Sequence, residues 1–537
     1  MSIFDNLSAE DMRVLVEKAS TTGVGFTTSS GLQAIQLDAI AKLAYAVFYP
    51  ELQKIPHIQP EMAGERWGGT SFQWKSITAP NATSLPAPVS QGNRNAISSI
   101  TTVPYSAPYT TLGYDQSVTD EGYEQARGFD DLVNDARITT MHSILQQYDV
   151  MVTCGNRGSD SNGFALGAAN TPTLTDATTG GAIAANTKVS VYCVELTAAG
   201  INPKSLNYNA TTGLTPFISR TPANLSAAEL IPAGIGNLSS VVSKTVGSST
   251  STYSVTAAVT PKVGAFGWGW FVSGNGSPTT GNAFFYGVTS VPSVEITSIP
   301  TAPQQTAAAF VTAQTISATL YDTSYNGSSS SVVNSNPGGA SADDFDGAFA
   351  YIASANTTNF VEMDGAGWTP DNVGGVVELN SAIQTQFLQY NAVPDEIVCG
   401  VDAIDPITTA VLSSAVAGNY RINSGVEDGN GVMGSNVLTQ YRLKFSANGQ
   451  QTIIPVSVSP NIPANAVWLP NRKNPFPSTS ATIPAALQLA EIKPMYSMDY
   501  AKTRRTWELG TYVQTTLVNR TPFLGFVFSG ASSTVNS

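Results

Sequence analysis

Two extended runs separated by a polar loop constrain this chain more than any other feature. RWGGTSFQWKSIT at residues 66–78 sets apolar Phe72, Trp74 and Ile77 against polar Gln73, Lys75 and Thr78, with one slip in the alternation. TTVPYSAPYTTLGYDQ at residues 101–116 is a second extended run, and its prolines mark it as edge-like. NATSLPAPVSQGNRNA, residues 81–96, joins them as a loop. The pattern predicts a long two-stranded hairpin. Such a hairpin is marginal in water on its own, so it must lie on something, and another subunit is one candidate.

The period then changes. From Asp120 to Thr153, apolar residues including Leu132, Ala136, Ile144, Tyr148 and Val152 recur at helical spacing. Thr119 is placed to cap the start and Gly155 to stop the helix, which would be roughly 45–50 Å long. Further upstream, SAEDMRVLVEKAS at 8–20 predicts a short helix capped by Ser8. GLQAIQLDAIAKLAYAVFYPEL at 31–52 predicts a second helix, apolar on more than one side. A terminal apolar helix suggests an arm that docks on a neighbour.

Residues 165–340 have a different texture. They hold about ten charged side chains, against 25 basic and 38 acidic in the whole chain. TKVSVYCVEL, TYSVTAAVT, FGWGWFVSG, NAFFYGVTS and PSVEITSI are strand-like and separated by Gly, Pro and Asn turns, which predicts an all-β sandwich. SYNGSSSSVVNSNPGGASA, residues 324–342, reads as a linker. Beyond it the texture is mixed. DDFDGAFAYIASA, ELNSAIQTQFLQY and DAIDPITTAVLSS predict helices, while PDEIVCG, TQYRLKF, TIIPVSVSP and NAVWLP predict strands. The segment from Ile483 to Gly530 alternates as an extended stretch.

The signatures of chemistry fail one by one. GWGWFVSGNG, Gly267–Gly276, lacks the third glycine of a dinucleotide fingerprint and the lysine of a phosphate loop, and no helix follows it. It reads as a strand with one bulky and one bare face. Asp344-Phe345-Asp346-Gly347 has Ala355 where a calcium loop needs glutamate, and Glu427–Gly431 is read, like it, as a turn or cap signal. Cys154, Cys193 and Cys399 are scattered and odd in number, so they predict reduced core thiols. The only histidines, His57 and His142, leave little for zinc or triad chemistry. We expect no catalysis, no cofactor and no metal. The start of the chain has no apolar signal region and no segment has the length of apolar sequence that spans a membrane, so neither secretion nor a membrane is expected. A net charge of −13 argues against a basic nucleic-acid grip, but permits a surface that faces DNA without holding it. The late cluster Lys502, Arg504 and Arg505, flanked by Asp499 and Glu508, is read as forming salt bridges between subunits.

The order of parts resembles the major capsid proteins of tailed bacteriophages, the Hong Kong 97 type. NDARITTMHSILQQYDVMVTCGN is similar to that family's spine helix, and GFALGAANTPT to the crossing after it. NAVPDEIVCGVDAIDPITTAVL is similar to the axial-domain strand and helix. IIPVSVSPNIPANAVWLPNRKNPFP and RTWELGTYVQTTLVNRTPFLGF are similar to the return into the peripheral domain and its closing strand. The resemblance implies an α+β capsid fold. Its segments would be an N-terminal arm (1–60), an extended hairpin loop (61–118), a peripheral domain with spine helix (119–164), an axial domain (341–470) and a peripheral return (471–537). Residues 165–340 depart from it and look like an inserted immunoglobulin-like domain.

The implied function is a structural subunit of an icosahedral head around double-stranded DNA, located in the virion and assembled in the host cytoplasm. Its partners would be copies of itself, with decoration, scaffolding and portal proteins; packaged DNA would lie near by non-specific proximity. The assembly candidates are Phe72, Trp74, Lys75, Arg504, Arg505 and Arg520, and Trp268 and Trp270 are candidate surface aromatics of the insert. Two other readings stay open: an encapsulin-like compartment of the same fold, and a secreted β-rich adhesin or glycan-binding protein.

Overall fold

The computed structural model describes residues 49–58, 69–80, 88–94, 100–127, 131–158, 161–202, 213–220, 229–232, 234–313, 315–316, 332–333, 345–365, 367–413, 438–447, 450–474, 485–502, 504–531 and 535–536. Helices and sheets are mixed along the chain. The helices expected at 8–20 and through 31–48, the linker at 324–342 and the Glu427–Gly431 turn lie almost wholly outside the described residues. Contacts divide the chain into two compact units. One comprises Met1–Tyr49, Thr111–Tyr148 and Glu491–Thr515, and the other Pro50–Thr110, Asp149–Ala490 and Thr516–Ser537.

Thr506–Asn519, which lies mostly in the first unit, runs between Leu487–Asp499 and Thr110–Thr119 in one sheet. Alternate residues Leu509, Thr511 and Val513 are buried, and Thr511 Oγ1 meets Thr140 Oγ1 of the long helix at 3.1 Å. Tyr148 OH, 2.5 Å from Thr515 Oγ1, marks the same face one helical stretch later. The helix expected over 120–153 is two helices, Asp120–Ala126 and Leu132–Cys154. Thr119 caps the first as expected, accepting from Gly122 N at 3.1 Å. Asp131 restarts the second by accepting from Asn134 N at 3.2 Å, a cap signal that the apolar spacing conceals. The second helix ends at Cys154, where Gly155 N still donates to Met151 O.

The second unit holds the hairpin. Ser71–Pro80 and Ile100–Pro108 pair antiparallel as a two-stranded sheet, with a register shift between Ile77 and Ala79. The second run is thus not one strand: Thr110–Thr119 separates from Ile100–Pro108 and joins the other sheet.

The described strands of residues 173–296 form two larger antiparallel sheets and a separate two-stranded one, Phe217–Arg220 with Glu229–Pro232. Thr173–Ala177, Ser254–Ala258 and Ser293–Ile296 make one of the larger two, with the middle strand central. Val242–Thr245, Lys188–Leu196, Gly267–Ser273 and Phe284–Thr289 make the other, with Val535–Asn536 added at its edge. Val191, Cys193, Val255, Ala257, Trp270 and Ile296 share one core between them. The outer face of the larger sheet has a second core, with Tyr192, Phe271, Phe285 and Phe310, the last from the helix Ala307–Ala313.

The strand Gly267–Ser273 is therefore buried on both sides, with Trp268 and Trp270 on its bulky face and Gly267 and Gly269 on its bare one. The bare side is close-packed: a Cβ on Gly267 would come 2.4 Å from Ile201 Cδ1, and one on Gly269 2.6 Å from Leu214 Cδ1.

A six-stranded mixed sheet completes the unit, in the order Phe360–Glu362, Phe526–Ser529, Val467–Leu469, Ile397–Cys399, Gln450–Val458, Gln440–Ala447. The helices Ala348–Ala355, Val377–Tyr390 and Ile404–Ser413 belong to this part, and the last two pack Leu379, Ile383 and Ile407 into its core. Phe266 stacks on Phe349 and meets Phe360 edge-on, both at just over 5 Å, so aromatic packing joins the sandwich to this sheet.

Candidate assembly elements

The hairpin is held at its base. Phe72, Trp74 and Ser76 point inward, while Gln73 and Lys75 are exposed, as period-two alternation requires. Trp74 Nε1 donates to Asn519 O at 3.0 Å and Ser76 Oγ to Arg520 O at 2.7 Å. The Trp74 ring stacks on Tyr105 of the return strand at 5.7 Å. Asn162 Nδ2 donates to Ser106 O at 2.9 Å. Phe72 and Trp74, 3% and 7% exposed, therefore belong to this chain's own core, which corrects their reading as assembly contacts. Arg520 is half-buried, bonded through Nε to Gln488 Oε1, with its guanidinium 5.8 Å from the Phe72 ring. Burial lowers its pKa. Lys75 is the candidate of this group that faces outward. Farther out, residues 88–94 and Thr101, Thr102 and Pro104 are exposed.

The basic cluster is placed in the first unit. Lys502 Nζ lies 2.9 Å from Asp120 Oδ1 and 3.5 Å from the Trp507 ring. Arg505 pairs with Glu121 at 3.0 Å and Arg137 with Asp499 at 2.7 Å. Arg504 is exposed. Lys502 and Arg505 thus meet acids of their own chain at the start of the Asp120–Ala126 helix, where the helix dipole favours the acids. Exposed pairs of this kind contribute about 0–1 kcal/mol.

Trp268 and Trp270 are 0% exposed. Trp270 Nε1 donates to Thr289 Oγ1 at 2.8 Å. Their rings fill the space between the two sheets, so the expectation of surface aromatics on the insert is corrected.

Periodicity does not reveal a charged junction at the short helix Pro50–Lys54. Arg472, 7% exposed, donates from Nη2 and Nε to Glu51 Oε2 at 2.6 and 3.1 Å, and from Nη1 to Glu396 Oε2 at 2.8 Å. Lys54 Nζ reaches both Glu396 oxygens at 2.8 Å. Burial would raise the Glu396 carboxyl, but Lys54, Ser457 and Arg472 outweigh it and hold it below its ordinary value. Beside them, Asp149 Oδ1 accepts from Glu51 N and Leu52 N, each at 2.9 Å, and its Oδ2 accepts from Asn461 Nδ2 at 2.5 Å. Burial pushes Asp149 up to about 6. A lone Asp in an apolar helix stretch was the signal available; its partners are distant in sequence.

Asp346 of the DFDG stretch does not cap the helix after it, whose N-cap Gly347 has no side-chain bond; it is a long-range pin. It accepts from Arg157 N at 2.8 Å, Asn162 N at 2.9 Å and Ser161 Oγ at 2.5 Å. Gly347 N donates to Gly155 O at 2.9 Å, so the chain before residue 156 and after residue 346 is tied side by side. The three cysteines are buried thiols that form no disulfide. Among the described residues, no group of three or more His, Cys, Asp or Glu side chains is placed to hold a metal, and no helix is long and apolar enough to cross a membrane.

No protein-family model and no curated protein matches the chain by sequence. Solved structures do match its shape along most of its length. The chain is similar to one in the mature capsid of bacteriophage PhiM1 (9% identity, covering 93% of this chain and 91% of that one, TM-score 0.31). It is also similar to one from the phage G structure of major capsid proteins and decoration proteins (7% identity, 99% and 100% covered, TM-score 0.31). A third is from Mycobacterium phage Adephagia (8% identity, 98% of each chain, TM-score 0.34). Likeness of this degree leaves fold and function to be argued from the chain's own residues.

Proposed function

We propose that this chain is the major capsid protein of a tailed bacteriophage, a non-enzymatic subunit that assembles with copies of itself into an icosahedral shell around double-stranded DNA. The hairpin carries the reading. Its base is fixed by Trp74 and Ser76, yet among the described residues its strands pair only with each other, and residues 88–94, Thr101, Thr102 and Pro104 are exposed. A two-stranded ladder is marginal in water, and a neighbouring copy that covers it removes the problem.

The acidic balance, a net charge of −13, suits an interior that must release its DNA. In this reading residues 1–60 are the arm, 61–118 the extended loop, 119–164 and 471–537 the peripheral domain, 341–470 the axial domain, and 165–340 an inserted immunoglobulin-like domain. Lys75 and Arg504 are the outward-facing contact candidates. Decoration, scaffolding and portal proteins are the further partners, and the virion the location.

The test is to replace residues 79–99 by a two-residue turn, keeping Phe72, Trp74, Ser76 and Tyr105. The variant should fold with an unchanged unfolding midpoint yet form no shells. Shell formation at the level of the parent chain would contradict the role given to the hairpin.

A further inference from the structure

Two Asn-Gly pairs lie among the described residues, and they are held in opposite ways. Asn162–Gly163 is clamped. Asn162 N donates to Asp346 Oδ2 at 2.9 Å, its Nδ2 donates to Ser106 O at 2.9 Å, and its carbonyl accepts from Ser354 Oγ at 2.5 Å. Gly163 has no spare room: a Cβ there would lie 2.3 Å from Asn156 Oδ1 and 2.6 Å from Asp346 Oδ1.

Asn275–Gly276 ends the strand Gly267–Ser273 in an exposed turn. Asn275 Oδ1 accepts from Ser277 N at 3.2 Å, which folds the carboxamide across the Gly276 peptide and polarises its carbonyl. Asn275 N is fixed by Ser273 Oγ at 3.2 Å, and Lys188 Nζ donates to Gly276 O at 3.0 Å. Nothing lies within 4 Å of where a Gly276 Cβ would be.

We propose that Asn275–Gly276 is a self-modification site, with water as the co-reactant, at which the turn converts asparagine to aspartate or isoaspartate. Hydroxide takes the Gly276 amide proton, and the nitrogen attacks Asn275 Cγ. The new C–N bond closes a succinimide. The Cγ–Nδ2 bond breaks, and the nitrogen leaves as ammonia after taking a proton from water. Water then opens the ring at either carbonyl. The geometry favours this on three counts. The Ser277 N–H bond fixes the Asn275 carboxamide in a turn beside the attacking residue. The attacking residue has no side chain to obstruct it. The space around Gly276 is open, so the five-membered ring has room to close. The product adds one negative charge to the surface of the sandwich as the protein ages.

The test is to hold the full-length protein in mildly alkaline buffer and map its peptides by mass over time. The Asn275 peptide should become about 1 Da heavier and split into aspartate and isoaspartate forms, at least about tenfold faster than the Asn162 peptide. Gly276→Ala, which has open space for its methyl group, should leave the fold unchanged and slow the conversion by about tenfold or more. Conversion of Asn162 at an equal or greater rate would overturn the proposal, as would a Gly276→Ala protein that converts as fast as the parent.

Discussion

Arg472 shows how far a single residue organises this chain. Its guanidinium is shared by Glu51, fully buried, and Glu396. Arg472→Ala leaves the buried Glu51 charge with only the longer Lys54 pair at 3.7 Å, so it should cost about 3–5 kcal/mol in denaturant unfolding. A loss below about 1 kcal/mol would mean that the pair is solvated.

The buried acids give a second prediction at this scale. Burial, the largest cause for each, raises Asp149 to about 6 and Glu195 and Glu362 to about 7. Their ordinary values are 3.8 for Asp and 4.5 for Glu. A raised carboxyl binds its proton more tightly in the folded chain. Its contribution is therefore greatest at low pH and is lost as pH rises through the folded value. The unassembled protein should gain stability as pH falls from about 7.5 to about 5, read as a rising urea midpoint. Glu396 opposes this only at lower pH, since its value lies below 4.5. Glu195→Gln with Glu362→Gln should flatten the slope. A midpoint that falls steadily over the same window would contradict the assignment.

Elements with a strong local period were legible in the sequence. Val377–Tyr390, Ile404–Ser413 and five of the six strands of the mixed sheet fall where they were expected, while the edge strand Phe360–Glu362 was not foreseen. Breaks set by one polar residue were harder to read. Asp131 splits the long helix because its side chain satisfies a free amide, while the apolar spacing continues through the break. The strand at Gly267–Ser273 was legible, but what covers its bare face was not. Its glycines signal a close approach of Ile201 and Leu214, and a single sequence does not distinguish that from an open face. The hairpin strands were legible, but their anchor was not, because Trp74 and Asn519 are 445 residues apart. The role of Lys75 follows from this alternation: with Trp74 turned inward, Lys75 must face out.

On the scale of the whole molecule, stability and assembly draw on different surfaces. Cores between the two sheets and within the mixed sheet are closed by the chain itself. In the proposed reading the outer hairpin is left to be covered by a neighbour, and that need is the central claim. Negative-stain electron microscopy of the protein expressed alone tests it most directly. The account predicts closed icosahedral shells. A protein that stays monomeric and stable with its hairpin exposed, even when supplied with the other head proteins of the same phage, would contradict it.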